Sequence, residues 1–521
     1  MGGRSGRRGW LVAALGAVLV VGVSACEAVV VDRVDDQRSG AAVPQLADSA
    51  YLTTQARAHS AEMCAAGAVS PSTDLVASYL GEPATRLDEL VGSAVLDPAV
   101  ADPGERNGAA TDEVWAQWVE EATLVDPRWE ALGVGEHACG DGRLYMTLVL
   151  RDGPPALSEP ADTSRIVPAE TTTRNGWRYD RYRNLAAPCA ISGYQSFVIG
   201  TRVGSSPTAT RPLWVKMRGG GVGWFDTDGT PIPNPGVKSE ESLATQIGFD
   251  DAGLMAKVKA APEGFRILIV SMCSHDIYAG NENYDPHNPN LTPEGESRPT
   301  TGLTATKAAV QYTQAHYPTD DYFLHGTSAG GAGTYSVAWA LQQQGIPPAG
   351  MISDSGVVNQ AWQRWVADHG IPGEVSCQKV TQERGLGVLG RVDRALGDPA
   401  NEPHLLVGSG RLTVPVVHIW NHADHNVCGA ALMPCPLPDG STPTMQAADC
   451  NHEPMRLAIE GLGPESSSRA MGVCVEGNDT ATPCDRHVVT SGPNLVNTDP
   501  SQPADHQSAI LDWVRTRLAD D

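Results

Sequence analysis

The sequence predicts an α/β fold, with a mostly parallel sheet covered by helices on both faces and a small α+β domain before it. Three observations support this prediction. From about residue 176 onward, apolar strand-like segments alternate with alanine-rich helical segments, which is typical of parallel strands joined by crossover helices. A Gly-x-Ser-x-Gly motif lies between one such strand and one such helix. Residues 44–153 have helical patterning that ends in a strand-like segment.

The chain is acidic and long enough for two or three domains. It has 521 residues and a formal net charge of −24, from 37 basic and 61 acidic side chains. Such a charge is repelled by phosphate backbones and anionic headgroups. We therefore expect no nucleic-acid partner and no charge-driven binding to a lipid surface.

The N-terminus has the features of an export signal. A basic segment precedes an apolar stretch, residues 11–23, that is too short to span a bilayer comfortably. Val23-Ser-Ala-Cys26 resembles a bacterial lipobox, which implies a lipoprotein signal peptide over residues 1–26 and lipidation of Cys26. The alternative is ordinary secretory cleavage. We expect a bacterial cell-surface protein that touches the membrane only through its N-terminal lipid anchor, or a secreted protein.

The cysteine count agrees with export. Of eleven cysteines, ten remain when Cys26 is set aside, an even number that suits an oxidising compartment. Cys64 and Cys139 fall in the N-terminal part, and the other eight fall in the rest of the chain. Each part can therefore close its own disulfides, although the pairing among the eight cannot be read from the sequence.

Composition divides the chain into segments. We predict a flexible tether over residues 27–43, a compact domain over 44–153, a linker over 154–175 and a larger domain over 176–521. The linker prediction rests on four prolines, three consecutive threonines and several acids.

The domain over 44–153 resembles the bacterial branch of the CAP (SCP-like) family. The resemblance rests on His59-Ser-Ala-Glu-Met63 and on a Gly-Val-Gly turn at residues 133–135 before the closing strand 144–151. The second histidine and the Gly-Glu-Asn motif of that family are absent, so we expect His59 and His137 to bind no metal. The resemblance implies a degenerate CAP domain with an accessory or binding role. Helices are predicted over residues 46–65, 73–80 and 112–123.

The most informative motif is His-Gly-Thr-Ser-Ala-Gly-Gly at residues 325–331. An apolar run precedes it and an alanine-rich segment follows it. Gly326 and Gly330 tolerate the sharp turn of a nucleophile elbow, which exposes Ser328 at the edge of a sheet. The N–H of Ala329 then points to where an oxyanion forms. The alternative is a glycine-rich loop with an incidental serine, but the strand and the helix around the motif favour the elbow.

A nucleophilic serine needs an acid and a histidine, which follow it in the chain in α/β-hydrolases. Asp424 lies just past a buried strand, residues 414–420, and so at the sheet edge that carries the elbow. Asp354 also follows a strand and competes with it, but this carboxyl can simply cap a turn. We favour Asp424.

Two histidines remain as candidates for the base. His487 follows the strand-like residues 470–475, and His506 begins the last helical segment, where its alternative role is a helix cap. His425 and His452 follow Asp424 too closely for another strand to lie between them. From the residues alone, His487 and His506 both stay open.

The second oxyanion donor is expected in residues 219–224, Gly-Gly-Gly-Val-Gly-Trp, which follow a strand well before the elbow. Consecutive glycines let backbone N–H groups converge on one point, so we name Gly220 and Gly221 together with Ala329. A plain flexible turn is the alternative.

These motifs together resemble the pectin acetylesterase/Notum family over about residues 185–520. The matching segments are residues 219–224, 271–273, 280–283, 326–331 and 353–356. The resemblance implies an Asp after a late strand and a His in a Cys-x-x-His context, which fit Asp424 and Cys484-Asp-Arg-His487, so that it favours His487 over His506. This chain departs from the family by an inserted Val222 and by the lack of the cysteine that follows the glycine loop.

The resemblance implies an exported serine carboxylic-ester hydrolase that removes acetyl or short acyl groups from a polysaccharide or glycoconjugate without a cofactor. His418, His422 and His425 are spaced like metal ligands, but a strand histidine shares a centre with loop histidines only with difficulty, so no metal is expected. The alternatives are a longer-chain esterase or depolymerase, and a non-catalytic cell-surface binding protein.

Overall fold

The computed structural model describes residues 25–519, with gaps at 73–85, 153–156, 207, 226–227, 233–238, 249–250, 283–284, 286, 370–401, 478–482 and 494. The described residues divide into two compact units, the first within residues 1–73 and 87–151 and the second within residues 74–86 and 152–521. Most of the predicted signal peptide and the predicted helix over 73–80 lie outside the described residues.

The first unit is α+β, as predicted. Its elements are α1 (Ala25–Gly40), β1 (Ala47–Asp48), α2 (Ala50–Ala66), β2 (Arg86–Val95), α3 (Pro103–Trp118), β3 (Ala131–Ala138) and β4 (Arg143–Asp152). The four strands form one sheet in the order β1-β3-β4-β2. The disulfide Cys64–Cys139 joins the end of α2 to the end of β3, so the two cysteines of the N-terminal part pair with each other, as predicted.

The prediction of a flexible tether over residues 27–43 is wrong. Most of this segment belongs to α1, and Val30 and Val34, one helical turn apart, are fully buried in the core of the first unit. Arg38 is also buried and donates hydrogen bonds to the carbonyls of Pro44 and Leu124. Asp32 and Asp36 lie on the exposed side of the packed helix, whereas Arg38 and Glu27, which pairs with Arg57, are buried. The charged composition of the segment therefore did not reveal that it packs.

The Gly-Val-Gly segment of the first unit is part of a strand and is not a turn. Gly133 and Gly135 lie in β3, where a Cβ on either residue would overlap the backbone of α2 at Leu52 or Arg57. The glycines are therefore required by the close approach of a helix to a strand.

Within the described residues, the second unit is built on a nine-stranded sheet. Its strands are β5 (Ile166–Arg174), β6 (Trp177–Pro188), β7 (Tyr194–Arg202), β8 (Arg211–Met217), β11 (Arg266–Val270), β12 (Thr319–Thr327), β13 (Gly350–Asp354), β14 (Val416–Asn421) and β17 (Arg469–Val473), in the order β17-β14-β13-β12-β8-β11-β7-β6-β5. The six strands from β17 to β11 are parallel, and β7, β6 and β5 continue the sheet with antiparallel pairing. Two short hairpins lie outside it: β9 (Trp224–Phe225) with β10 (Pro231–Ile232), and β15 (Leu432–Pro434) with β16 (Thr444–Gln446).

Helices cover both faces of this sheet, as predicted. Leu213 and Val215 of β8 pack in one core, and Trp214 between them packs in the other, because successive strand residues point to opposite faces. The first core is closed by α6 (Gly302–His316), α7 (Ala329–Gln343), α9 (Pro403–Gly408) and α10 (Ala447–Gly461). The second is closed by α4 (Leu243–Ile247), α5 (Gly253–Ala260) and α11 (His506–Ala519). A further helix, α8, spans Gln360–His369.

The prediction of a linker over residues 154–175 is wrong. Residues 166–174 form β5, the edge strand of the sheet, which pairs with β6. Leu157 is buried, and its carbonyl accepts hydrogen bonds from Lys307 and Gln344. Most of β5 is exposed, so its composition is that of a loop, although its consecutive threonines are good strand formers.

Disulfides also occur in the second unit, at Cys189–Cys273, Cys435–Cys450 and Cys474–Cys484. Cys26 of the first unit is a free, buried cysteine. Several disulfides in one chain are typical of a protein from an oxidising, extracytoplasmic compartment. None of the helices in the described part of the chain combines the length and the apolar character needed to cross a bilayer.

Candidate active site

Ser328 occupies the tight turn between β12 and α7. Its backbone has φ 55° and ψ −121°, a strained conformation for a residue with a side chain, which costs on the order of 1–3 kcal/mol. The neighbouring glycines permit it, since a Cβ on Gly326 would overlap the carbonyl oxygen of Gly330 and one on Gly330 would overlap that of Met217. The predicted nucleophile elbow is therefore present in the backbone geometry.

Ser328, His487 and Asp424 form one hydrogen-bonded chain. Nε2 of His487 lies 2.8 Å from Oγ of Ser328, and Nδ1 of His487 lies 2.7 Å from Oδ2 of Asp424. The Asp424 side chain is fully buried, while that of His487 is 14% exposed. Because a carboxylate only accepts, Nδ1–H of His487 donates to Asp424, and Nε2 is left to accept the proton of Ser328.

The loops that carry the acid and the base are bonded to each other. Asp424 follows β14, and the disulfide Cys474–Cys484 ties the segment before His487 to the end of β17. The carbonyls of Cys484 and Asp485 accept hydrogen bonds from the backbone N–H groups of Ala423 and His425 at 3.0 and 3.2 Å. This backbone pairing fixes the distance between the carboxylate and the imidazole.

The competing candidates lie elsewhere. His506 is buried at the start of α11, where Nε2 is 2.8 Å from the carbonyl oxygen of Val489. The carboxylate of Asp354 accepts the N–H groups of Val489 and Thr490 at 3.1 and 2.8 Å. Neither candidate joins the Ser328–His487–Asp424 chain.

The glycine loop passes directly over the nucleophile. A Cβ on Gly219 would lie 2.7 Å from Cβ of Ser328, so only glycine fits there. The N–H of Gly219 is engaged by Oγ1 of Thr327 at 3.2 Å, whereas the N–H of Ala329 is the first of α7 and has no acceptor within the helix. Gly221 has φ 74°. Oxyanion binding by Gly220, Gly221 and Ala329 stays a prediction. The sequence placed Gly219 in the glycine loop but did not show that it lies against Ser328.

The side chain of Arg218 anchors this loop. It forms a bidentate ion pair with the fully buried Glu241, and the carbonyl of Arg218 accepts a hydrogen bond from the hydroxyl of Tyr278 at 3.1 Å. The loop is thus held from both sides where it enters the site.

The charges around His487 raise the pKa of its imidazole. Burial lowers the pKa of His487, but the charge of Asp424, the hydrogen bond to it and the charge of Asp354 outweigh burial, so the pKa lies above its ordinary value. This is the environment of an imidazole whose cationic form has to be stabilised during a reaction.

The histidines with metal-like spacing do not converge. Their hydrogen-bond partners are separate: Tyr335 and His452 for His418, Asp449 and Asp499 for His422, and the carbonyl of Asp485 for His425. In the first unit, His59 bonds the carbonyl of Ser70 at 2.7 Å. Within the described residues, no group of three or more His, Cys, Asp or Glu side chains is arranged to hold a metal ion.

No protein-family model and no curated protein matches this chain. Among solved structures, an S-formylglutathione hydrolase from Agrobacterium tumefaciens matches 49% of this chain and 80% of its own, with 9% identity and a TM-score of 0.30. A thermostable esterase from Pseudomonas putida ECU1011 matches 69% of this chain and 82% of its own, with 13% identity and a TM-score of 0.32. An outer surface protein from Borrelia burgdorferi matches 25% of this chain and 96% of its own, with 8% identity and a TM-score of 0.21.

The second unit has the architecture of an α/β-hydrolase, as predicted: a mostly parallel sheet, helices on both faces and a serine at a strand-to-helix elbow. The resemblances to the pectin acetylesterase/Notum and CAP families remain predictions. The side chains of the site itself are therefore the basis for inferring its chemistry.

Proposed function

We propose that the second unit is a serine hydrolase acting on carboxylic esters, with Ser328 as nucleophile, His487 as base and Asp424 as the acid that orients it. The observation that carries this proposal is the hydrogen-bonded chain from Oγ of Ser328 through His487 to the buried Asp424. Its order in space is that of a nucleophile, a proton acceptor and an orienting carboxylate.

In the proposed reaction, Oγ of Ser328 attacks the ester carbonyl carbon while its proton passes to Nε2 of His487. The N–H groups of Ala329, Gly220 and Gly221 hold the negative oxygen of the tetrahedral intermediate. As this intermediate collapses, the alcohol leaves with the proton from His487. Water then attacks the acyl-enzyme by the same steps, and the carboxylic acid product is released.

The substrate class follows from the resemblance to pectin acetylesterases, which supports acetyl or short acyl groups on a polysaccharide or glycoconjugate. We propose that the protein works outside the cytoplasm, in keeping with its disulfides, and that Cys26 carries the lipid anchor. The Cys26 thiol is buried beside Thr111 and Glu136 in the first turn of α1. Lipidation therefore requires that turn to open.

A series of p-nitrophenyl esters tests the proposal. With the purified full-length protein, we expect kcat/KM to be highest for the acetyl ester and to fall through the butyryl to the octanoyl ester. A preference for octanoate would identify a longer-chain esterase instead. Equal background rates with all three esters would contradict ester hydrolysis and favour the binding-protein alternative.

A further inference from the structure

We propose that Asp354 is a positioning residue that holds the nucleophile and the base in register with each other, although it touches no substrate; this inference rests on the proposed function. Asp354 is fully buried at the end of β13, between the strand that leads to Ser328 and the strand that leads to Asp424.

The backbone of Asp354 supports the nucleophile. Its carbonyl accepts the N–H of Ser328 at 2.7 Å. A Cβ on Gly331, in the first turn of α7, would lie 2.6 Å from the same oxygen. The elbow and the start of its helix therefore rest directly on this residue.

The side chain of Asp354 supports the base. Oδ1 accepts the N–H of Val489 at 3.1 Å, and Oδ2 accepts the N–H and the hydroxyl of Thr490 at 2.8 and 2.5 Å. The hydroxyl of Ser355 donates to Oδ1 at 2.9 Å and accepts the N–H of Val488 at 3.3 Å. Three consecutive residues after His487 are thus held by Asp354 and its neighbour.

That segment needs outside support because its backbone is strained. Val488 has φ 63°, a left-handed conformation that is a marked outlier for a β-branched residue. Such conformations persist only where the surrounding structure imposes them. The hydrogen bonds that the segment from Val488 to Thr490 donates to Asp354 and Ser355 provide this constraint, and His487 is the residue directly before it.

A buried polar cluster continues from this carboxylate beneath the elbow. The hydroxyl of Thr490 is 2.9 Å from Nε2 of His325, and Nζ of Lys216 is 3.5 Å from that same nitrogen and from Oγ1 of Thr327. Burial lowers the pKa of Lys216 to about 7, against the opposing effect of the Asp354 carboxylate. The cluster joins β8, β12, β13 and the loop of the base through groups that the proposed reaction does not itself use.

An asparagine cannot replace this carboxylate. With four donors directed at its two oxygens, the side chain must act only as an acceptor, which the ionised form does and an amide does not. The NH₂ group of Asp354→Asn would face the donors of either Val489 or Thr490, so the segment after His487 would have to move.

The test compares Asp354→Asn with Thr490→Val, which removes only one of these donors, and with Asp505→Asn, the same chemical change at an exposed helix cap. We expect kcat to fall about 100-fold in Asp354→Asn and about 10-fold in Thr490→Val with little change in KM, because misplacement of a catalytic group by about 1 Å has such an effect. Asp505→Asn should retain the wild-type kcat and KM.

The pH profile separates positioning from general destabilisation. The groups facing His487 are Asp424, Asp354, His452 and, at a ring distance of 6.3 Å, His425. Hydrolysis needs the neutral imidazole, so the raised pKa of His487 places the acid limb of wild-type kcat/KM above the ordinary value of about 6.5. Removing the charge of Asp354 removes one influence that raises this pKa, so the limb should move to lower pH in Asp354→Asn and stay in place in Asp505→Asn.

The rate at which a fluorophosphonate labels Ser328 is measured alongside, because it reports the activated serine whichever ester is the substrate. Wild-type labelling without ester hydrolysis would contradict the proposed function and still allow the variants to be compared. If folded Asp354→Asn has the same kcat, labelling rate and acid limb as the wild type, the positioning role is overturned. If that variant does not fold, unchanged rates in Thr490→Val would overturn it.

Discussion

Replacing Ser328 by alanine is expected to lower kcat for ester hydrolysis by about 10⁴-fold or more, to the residual rate that the oxyanion donors and substrate binding sustain without a nucleophile. Oγ of Ser328 is the atom that bonds to the acyl group in the proposed reaction, and it lies 2.8 Å from Nε2 of His487. Alanine removes this atom and keeps the Cβ, so the elbow retains its packing.

The measurement is steady-state hydrolysis of p-nitrophenyl acetate by the variant and the wild type, with thermal unfolding as the check that both are folded. We expect Tm to stay the same or to rise slightly, because a polar group in a strained turn is removed. A variant that keeps more than about a tenth of the wild-type rate would show that hydrolysis occurs without Ser328.

The second large effect is expected from His487→Ala, with His506→Ala as its matched control. Loss of His487 removes the group that accepts the proton of Ser328, and we expect kcat to fall by about 10⁴-fold or more. His506 bonds only the carbonyl of Val489 among the described contacts, so its loss should lower stability by about 1–3 kcal/mol and the rate by less than about 10-fold.

Both variants are measured under the same conditions, with kcat/KM followed from pH 5 to 9. The reverse order, a small effect of His487→Ala and a large effect of His506→Ala, would show that His506 is the base and that the assignment of His487 is wrong. Similar large losses in both variants with both proteins folded would mean that the segment between the two histidines acts as one unit.

The parts of the site that local sequence determines were predicted from it. The elbow depends on two glycines around Ser328, and the close approaches of Gly326 and Gly330 to backbone carbonyls show why these residues are required. The position of Asp424 beside the elbow was predictable because the carboxyl ends of parallel strands meet at one edge of a sheet, and its role in the reaction stays a proposal. Both deductions need only a strand and the residues that follow it.

The choice of His487 depended on the family resemblance, because no local rule places a residue that lies 14 positions after the end of β17. Its position is fixed through neighbouring residues: the disulfide Cys474–Cys484 before it, and the hydrogen bonds that Val489 and Thr490 after it donate to the sequence-distant Asp354. A sequence shows a carboxyl group at position 354 but does not show which backbone N–H groups it accepts.

The two wrong boundaries have a related cause. α1 was predicted as a tether and β5 as a linker, since half or more of the residues in each are polar. Two buried valines and the buried Arg38 hold α1 in the first unit, and pairing with β6 holds β5 in its sheet. Composition averages over a segment, whereas packing depends on the few residues that face the core.

The most direct test of the central claim is to locate the covalent adduct that a fluorophosphonate forms with the folded, full-length protein. Peptide mass spectrometry after digestion should find a single adduct, on Ser328 in the peptide that contains residues 325–331, and His487→Ala should slow its formation by at least about 100-fold. An adduct on another residue, or none on a protein shown to be folded, would contradict the proposal that Ser328 is an activated nucleophile.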